Sequence, residues 1–342
     1  PAGRGGACRG LRARAGVSRT GAFGLTIDGS TQVLHRRAFT VTVAWTLVLL
    51  YLGSVVHATE SSLACPDWPT CFGTLVPEME GGVFWEHLHR LVAGGLLLMF
   101  ALATWLARKE TSDRPWIFRA CLAGMVLLII QAVVGGITVL YQLPDLVSTT
   151  HLSLALLFLV LATWLASSTS WSPQSLRAAP PRPADAGMGR RVGNLAGAAA
   201  VLVFLQSVIG GLVRHTDAGM ACPDAPLCLG QVVPPLINTP IILHFAHRVV
   251  GMLALIAIVC LAVWVVQKVA TQAVRTWALL AAGLVVAQVC LGFLSVLSVL
   301  AVVPVSFHTL GAASLLAALV HLATLSRLTT AAPTRSQKTQ EA

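Results

Sequence analysis

Eight times along this chain an apolar run recurs that is long enough to cross the hydrocarbon core of a bilayer, which takes about 20 residues as a helix. Their cores lie at 39–56, 88–106, 117–140 and 151–166 in the first half, and at 192–213, 241–266, 277–300 and 305–325 in the second. An unpaired backbone amide costs several kcal/mol in lipid, so a spanning segment must be a helix or part of a closed barrel. Runs this long and this uniformly apolar select helices. Composition agrees: 11% of the 342 residues are charged, against roughly 25% in an average soluble domain, and the mean hydropathy is +0.79. The expected fold is an all-α membrane protein of eight transmembrane helices.

A formal net charge of +10 would suit nucleic acid, but the placement of the charge excludes that partner. Lys and Arg gather in alternate loops. Arg36 and Arg37 precede the first run, Arg108, Lys109, Arg114 and Arg119 follow the second, and Arg177, Arg182, Arg190 and Arg191 join the halves; Lys268, Arg275, Arg327, Arg335 and Lys338 continue the series. The intervening loops hold almost none, Arg214 excepted. Basic loops stay cytoplasmic, so both termini are expected in the cytoplasm. Residues 1–34, with Arg4, Arg9, Arg12, Arg14 and Arg19 among Gly and Ala, read as a basic, disordered tail, and 327–342 as a second cytoplasmic tail.

The chain repeats itself. An offset of 157 residues carries Cys65-Pro66-Asp67, Pro69 and Cys71 onto Cys222-Pro223-Asp224, Pro226 and Cys228, and also Thr59 to Thr216, Gln131 to Gln288, Gly135 to Gly292 and His151 to His308. One residue more carries His89-Arg90 onto His247-Arg248. Residues 35–167 and 192–326 are therefore two four-helix halves. An even helix number per half makes the repeat parallel. The basic, Pro-rich stretch 168–191 between them reads as a cytoplasmic linker.

His89, His151, His247 and His308 all fall near the start of an even-numbered run, at one depth beneath the outer face. A lone membrane histidine is more often a packing residue than a ligand; four at matched depth, in repeat-related pairs, reverse that weighting. Neutral imidazole is a good ligand for haem iron, and a wide planar ligand needs histidines on opposite sides of an apolar cleft, whereas zinc or copper wants three or four ligands close together. His89 with His151, and His247 with His308, are the two expected iron-ligand pairs. Arg90 and Arg248 can pair with haem propionates or snorkel to the membrane surface. Gly94, Gly95, Gly135, Gly136, Gly210 and Gly211 read as ordinary helix-packing glycines, with room beside a flat ligand as the alternative.

Glu86 lies three residues before His89, on the same helix face, while the second half has His244 at the related position. Chemistry is expected in the first half and electron storage or transfer in the second; the plain alternative for Glu86 is a helix cap. His87 and His244 read as interfacial side chains facing water, with polar lining or weak ligation as the alternative. Cys65 with Cys71, and Cys222 with Cys228, fall in outer loops, where disulfides form readily. Each pair is expected to staple its loop, with a redox-active pair as the alternative. Cys121, Cys260 and Cys290 read as packing residues inside the membrane.

Together these residues resemble haem A synthase, the membrane enzyme that oxidises a methyl group of haem O to a formyl group. The likeness rests on Glu86-His87-Leu88-His89-Arg90, on His151, His247 and His308, on the loop from Leu63 to Cys71, and on eight helices in two repeats. It covers about residues 36–325. It implies haem O as substrate in the first half, a haem B cofactor held by His247 and His308 in the second, Glu86 in catalysis, and a place in the bacterial plasma membrane with the haem sites toward the outer face. Water is the expected oxygen source, and a haem O synthase and an electron acceptor such as a quinone are the expected partners. His57, standing where its repeat-mate is Arg214, and the presence of both cysteine pairs depart from some members. Two other functions fit parts of the pattern: a bis-histidine di-haem electron carrier, and a membrane thiol-disulfide oxidoreductase acting through the outer cysteines. A prenyl-transferring haem O synthase is disfavoured, because no pair of Asp-rich motifs is present to hold diphosphate through magnesium.

Overall fold

A computed structural model describes residues 27–108, 114–169 and 183–329. Among them eight helices are long and apolar enough to cross a membrane, and no strand is present, only isolated bridges at Cys71–Thr74 and Cys228–Gln231. The helices are α1 (Ile27–Ala58), α2 (Gly81–Ala107), α3 (Pro115–Leu140), α4 (Asp145–Thr169), α5 (Pro183–His215), α6 (Thr239–Lys268), α7 (Gln272–Leu297) and α8 (Val302–Leu328). The expectations for Arg4 to Arg19, Cys8, Lys109, Arg177, Arg182, Arg335 and Lys338 lie outside the described residues.

Element starts have local causes. Pro115 and Pro240 occupy first-turn positions, where a missing N–H costs nothing, and the Asn238 side chain caps α6 by accepting from the Ile241 N–H at 3.0 Å. α1 begins at Ile27 and α5 at Pro183, so helix extends into segments expected as tail and linker. The seventh run stops at Leu297 rather than 300, because Val299 and Leu300 turn the chain with positive φ. Hydroxyls within the spans bond back to the carbonyl one turn earlier, as in Thr42 to Ala38 and Ser167 to Thr163, which keeps polar groups satisfied without water.

α1–α2–α3–α4 and α5–α6–α7–α8 each close a ring through α1–α4 and α5–α8, and the rings meet along α1–α8, α4–α8 and α4–α5. The central seam buries Leu50, Leu156, Leu159, Val203, Leu316 and Leu319 with small residues such as Ala199 and Ala313, the composition that lets helices approach closely in lipid. Outside, large apolar side chains such as Leu98 and Leu146, both 73% exposed, form a surface suited to acyl chains and not to water. Cys121 is buried as expected, but Cys260 and Cys290 are exposed on the apolar surface instead of packed within it.

The backbone carries the repeat. Positive φ occurs at Glu60, Phe72, Gly73, Gln142 and Leu143, and 157 residues on at Asp217, Leu229, Gly230, Val299 and Leu300. Side chains then diverge. Trp68, in the loop between α1 and α2, rests on Gly136 of α3, where an added Cβ would come within 2.6 Å of the indole; at the related positions the second half has Ala225 and Phe293, so bulk has moved from loop to helix.

Candidate functional site

Each of the four histidines sits against a glycine of the preceding helix. An added Cβ on Gly53 of α1 would lie 3.1 Å from Cε1 of His89, and on Gly135 of α3 2.8 Å from that of His151. In the second half Gly210 of α5 faces His247 at 2.8 Å and Gly292 of α7 faces His308 at 3.2 Å. These separations are tighter than ordinary carbon contact, so each imidazole occupies room that only glycine leaves. The offset of 157 carries Gly53 to Gly210 and Gly135 to Gly292. That regularity makes the seats legible in the sequence, where Gly135 and Gly210 read as helix-packing glycines or as room beside a flat ligand and Gly53 carries no reading of its own.

His247 and His308 come together with ring centres 6.4 Å apart and planes at 76°. His89 and His151 are electrostatic neighbours in the first half. Nδ1 of His89, His151 and His308 is buried and without a hydrogen-bond partner, while each ring as a whole is only half-buried. His247 is held by Gln206 of α5, whose amide donates to the His247 carbonyl at 2.7 Å and lies 3.0 Å from Nδ1. Gln131 of α3 likewise donates to the His151 carbonyl at 2.9 Å. These amides, unassigned from the sequence, fix the helix turns that carry the histidines.

Above the histidines lie the two cysteine loops, each closed by its disulfide, Cys65–Cys71 and Cys222–Cys228, with Cα atoms 4.8 and 4.7 Å apart. Both arginines reach into these loops. Arg90 Nη1 donates to the carbonyls of Asp67 at 2.7 Å and Thr70 at 2.5 Å; Arg248 Nη1 donates to those of Asp224 at 2.8 Å and Leu227 at 2.5 Å, and its Nη2 to Cys222 at 2.7 Å. A guanidinium's fixed fork suits several carbonyls at once, and this loop-holding contact is neither of the roles expected from the sequence. Inside each loop an aspartate accepts from two amides: Asp67 from Phe72 at 2.6 Å and Gly73 at 2.9 Å, Asp224 from Leu229 and Gly230 at 2.7 Å each. Asp67 also accepts from the Thr70 hydroxyl. These donors hold both carboxyls below the usual carboxylate range, Thr70 leading for Asp67 and the Gly230 amide for Asp224.

Glu86 is buried in the second turn of α2, which excludes the helix-cap reading. Its Oε2 accepts from the Cys65 N–H at 2.8 Å and its Oε1 pairs with Arg90 at 2.5 Å. One carboxylate thus links the disulfide loop, the loop-holding arginine and, through the helix face, His89. His244, at the related position, instead places Nδ1 3.0 Å from the Ala218 carbonyl. His87 and His244 are 5% and 4% exposed, so neither faces water as expected: the cysteine loops fold over them.

At the junction of the halves His57 of α1 stacks on His215 of α5, ring centres 5.0 Å apart. Arg214 donates to the His57 carbonyl at 3.0 Å and approaches Glu60 at 3.6 Å, and His215 Nδ1 meets the Thr149 hydroxyl at 3.0 Å. The exchange of His57 for Arg214 between repeats therefore builds a contact across the seam.

Residues 36–320 match the family described as cytochrome oxidase assembly protein. Among similar proteins is the haem A synthase of Halalkalibacterium halodurans, 32% identical over 76% of this chain and 86% of that protein. Others are the haem A synthases of Symbiobacterium thermophilum, 30% identical over 79% and 89%, and of Shewanella oneidensis, 28% identical over 82% and 93%. With a match that spans all eight helices, the chain belongs to the cytochrome oxidase assembly protein family, among the haem A synthases.

Proposed function

We propose that this membrane protein oxidises haem O to haem A in its first half, between His89 and His151, and holds a haem B cofactor between His247 and His308. The observation that carries the reading is the fourfold glycine seat. Four imidazoles sit against glycines in repeat-related pairs, and Nδ1 of His89, His151 and His308 is buried with no protein group to satisfy it. Two imidazoles sharing one ion at bonds of about 2 Å put their ring centres about 6 Å apart, and the separation of His247 and His308 fits this. When bound, the second-half haem supplies reversible one-electron storage.

The first half differs in having a carboxylate. Each oxidation of the substrate methyl consumes one water and releases two electrons and two protons, giving the alcohol and then the gem-diol, which loses water to become the aldehyde. Glu86 accepts a proton from the attacking water or stabilises positive charge on the reacting carbon, and its bonds to Cys65 and Arg90 keep it oriented. Gly53 and Gly135 fix the two first-half imidazoles, and Gln131 fixes the turn of His151. Arg90 and Arg248 hold the cysteine loops over the sites. The outer end of the bundle faces the exterior of the bacterial plasma membrane, both termini are cytoplasmic, and electrons leave to an acceptor such as a quinone.

Glu86→Gln tests the assignment. General acid–base groups contribute about 10²–10⁴-fold to rate, so the variant, expressed with a haem O supply, is expected to retain haem while haem A falls by at least about 10²-fold on extraction. Full conversion by the variant removes Glu86 from catalysis. Unmodified haem B in both sites of the wild type turns the reading to a di-haem carrier, and activity that survives His247→Ala but not Cys65→Ser turns it to a thiol oxidoreductase.

A further inference from the structure

The imidazole of His87 has no task in the reaction above, yet it is 5% exposed and sits against the first disulfide. A ring nitrogen of His87 and the sulfurs of Cys65 and Cys71 all lie within 4.8 Å of one another. His87 Nε2 is 3.1 Å from the Leu75 carbonyl, which only accepts, so that nitrogen carries the proton. Nδ1 then keeps its lone pair, and it is buried without a partner. A carbonyl that fixes the proton on one ring nitrogen readies the other for a metal.

The two sulfurs do not depend on their own bond to stay neighbours. Asp67 gathers the amides of Phe72 and Gly73, Arg90 ties down the carbonyls of Asp67 and Thr70, Glu86 accepts from the Cys65 amide, and Cys71 and Thr74 exchange backbone bonds at 3.0 and 3.2 Å. Opening the disulfide therefore leaves two thiols in a prebuilt loop beside the His87 imidazole, one of whose nitrogens has no partner. The second half provides an internal comparison: Cys222 and Cys228 lie in a loop of the same design, but Phe245 stands where the first half has His87.

We infer that the reduced Cys65–Cys71 pair and His87 form a binding site for a soft cation, Cu(I) or Zn(II), on the outer side of the substrate site. Thiolate and imidazole are the ligands those ions prefer. The site exists only after a dithiol has donated two electrons: the dithiol closes to its own disulfide, its two hydrogens pass to Cys65 and Cys71, and the incoming ion displaces two protons from those thiols. In the oxidised protein both sulfurs are bonded to each other and the site is closed.

The test uses full-length protein with its haems in detergent, before and after reduction with a phosphine, which takes an oxygen atom from water as it splits the disulfide. Zn²⁺ and Cu⁺ are each added alone and titrated against a chromogenic chelator. Reduced wild type is expected to take up one ion per chain with high affinity, and oxidised protein none at this site. His87→Phe, which installs the second half's residue, is expected to weaken uptake by more than the 10–100-fold typical of losing a mere second-shell partner. Alkylation of unaltered protein gives a readout free of folding effects, with the bound ion shielding Cys65 and Cys71 from iodoacetamide but not Cys222 and Cys228. Equal protection of both pairs, no protection, or unchanged affinity in His87→Phe overturns the inference.

Discussion

Replacing Gly210 by alanine tests the glycine seats directly. The new Cβ would lie 2.8 Å from Cε1 of His247, 3.4 Å from Nδ1 and 3.7 Å from Nε2, whereas carbon atoms rest at about 3.5–4.0 Å. The ring must retreat by roughly 0.7–1.2 Å, and Gln206 opposes its escape by holding both the main chain and Nδ1. Metal–nitrogen bonds tolerate about 0.2 Å. Overpacking of this kind costs about 1–3 kcal/mol, which lowers the affinity for the second-half haem by about 5- to 150-fold at 1.4 kcal/mol per decade. The helix itself gains, since alanine is the better helix former by about 1 kcal/mol, so any loss is specific to the ligand. Gly135→Ala, also at 2.8 Å, should match it in the first half, with Gly53→Ala at 3.1 Å and Gly292→Ala at 3.2 Å milder. Gly94→Ala, whose Cβ meets nothing within 4 Å, is the control. Haem per chain after purification, with the low-spin spectrum of the remaining haem, reads the outcome. Full haem content and an unaltered spectrum in Gly210→Ala, or equal loss in Gly94→Ala, refutes the seat.

Arg248→Ala removes donors to three loop carbonyls; at about 1.5–3 kcal/mol per charged bond, partly offset by water, the loop 222–231 should exchange its amide protons at least tenfold faster while α6 does not. For Asp67 the folded carboxyl titrates below its unfolded value, so its contribution to loop order is complete above that value, about 3.9, and is lost as pH falls through the folded pKa. Protection of the Phe72 and Gly73 amides should accordingly be flat from neutrality down to about pH 4 and collapse only in stronger acid, and Asp67→Asn should abolish that acid step. Gly136→Ala, which drives a Cβ to within 2.6 Å of the Trp68 ring, should lower the thermal midpoint through a penalty of about 1–3 kcal/mol. Trp68→Ala in the same chain should restore part of it, whereas additive losses would show that the two do not touch.

What was legible in the sequence follows from how each feature is encoded. Spans are written in composition over about 20 residues, so eight helices were readable and only their ends moved, as at Leu297, where positive φ at Val299 and Leu300 sets the stop. Identical spacing in two halves made the histidines and cysteine pairs readable. Features that depend on which way a side chain turns were not. Arg90 and Arg248 reach back over 20 residues or more to loop carbonyls, contacts that no local pattern encodes. His87 and His244 lie near a helix start, where water is the default neighbour; the stretches that bury them are loops whose course is set by Asp67 and Asp224, not by any periodic pattern. Cys260 and Cys290 sit in apolar runs whose lipid-facing and protein-facing sides differ little in hydropathy, so burial could not be read from the residue type.

The duplication also shows where the two halves differ. Backbone turns, disulfides, loop aspartates, arginine clamps and glycine seats recur at related positions, so none of them distinguishes one half from the other. Near the histidines the related positions that differ include Leu49 against Gln206, Glu86 against His244, His87 against Phe245, Trp68 against Ala225 and Gly136 against Phe293. The last four belong to the first cysteine loop or to the helices beside it. A carboxylate in that place is tied to the loop through Cys65 and to its holding arginine, so a movement of the loop and the orientation of Glu86 are one event. In the second half the same loop is held by Arg248 and by its own Asp224, and His244 bonds to the Ala218 carbonyl before it, so no carboxylate at that position joins helix to loop.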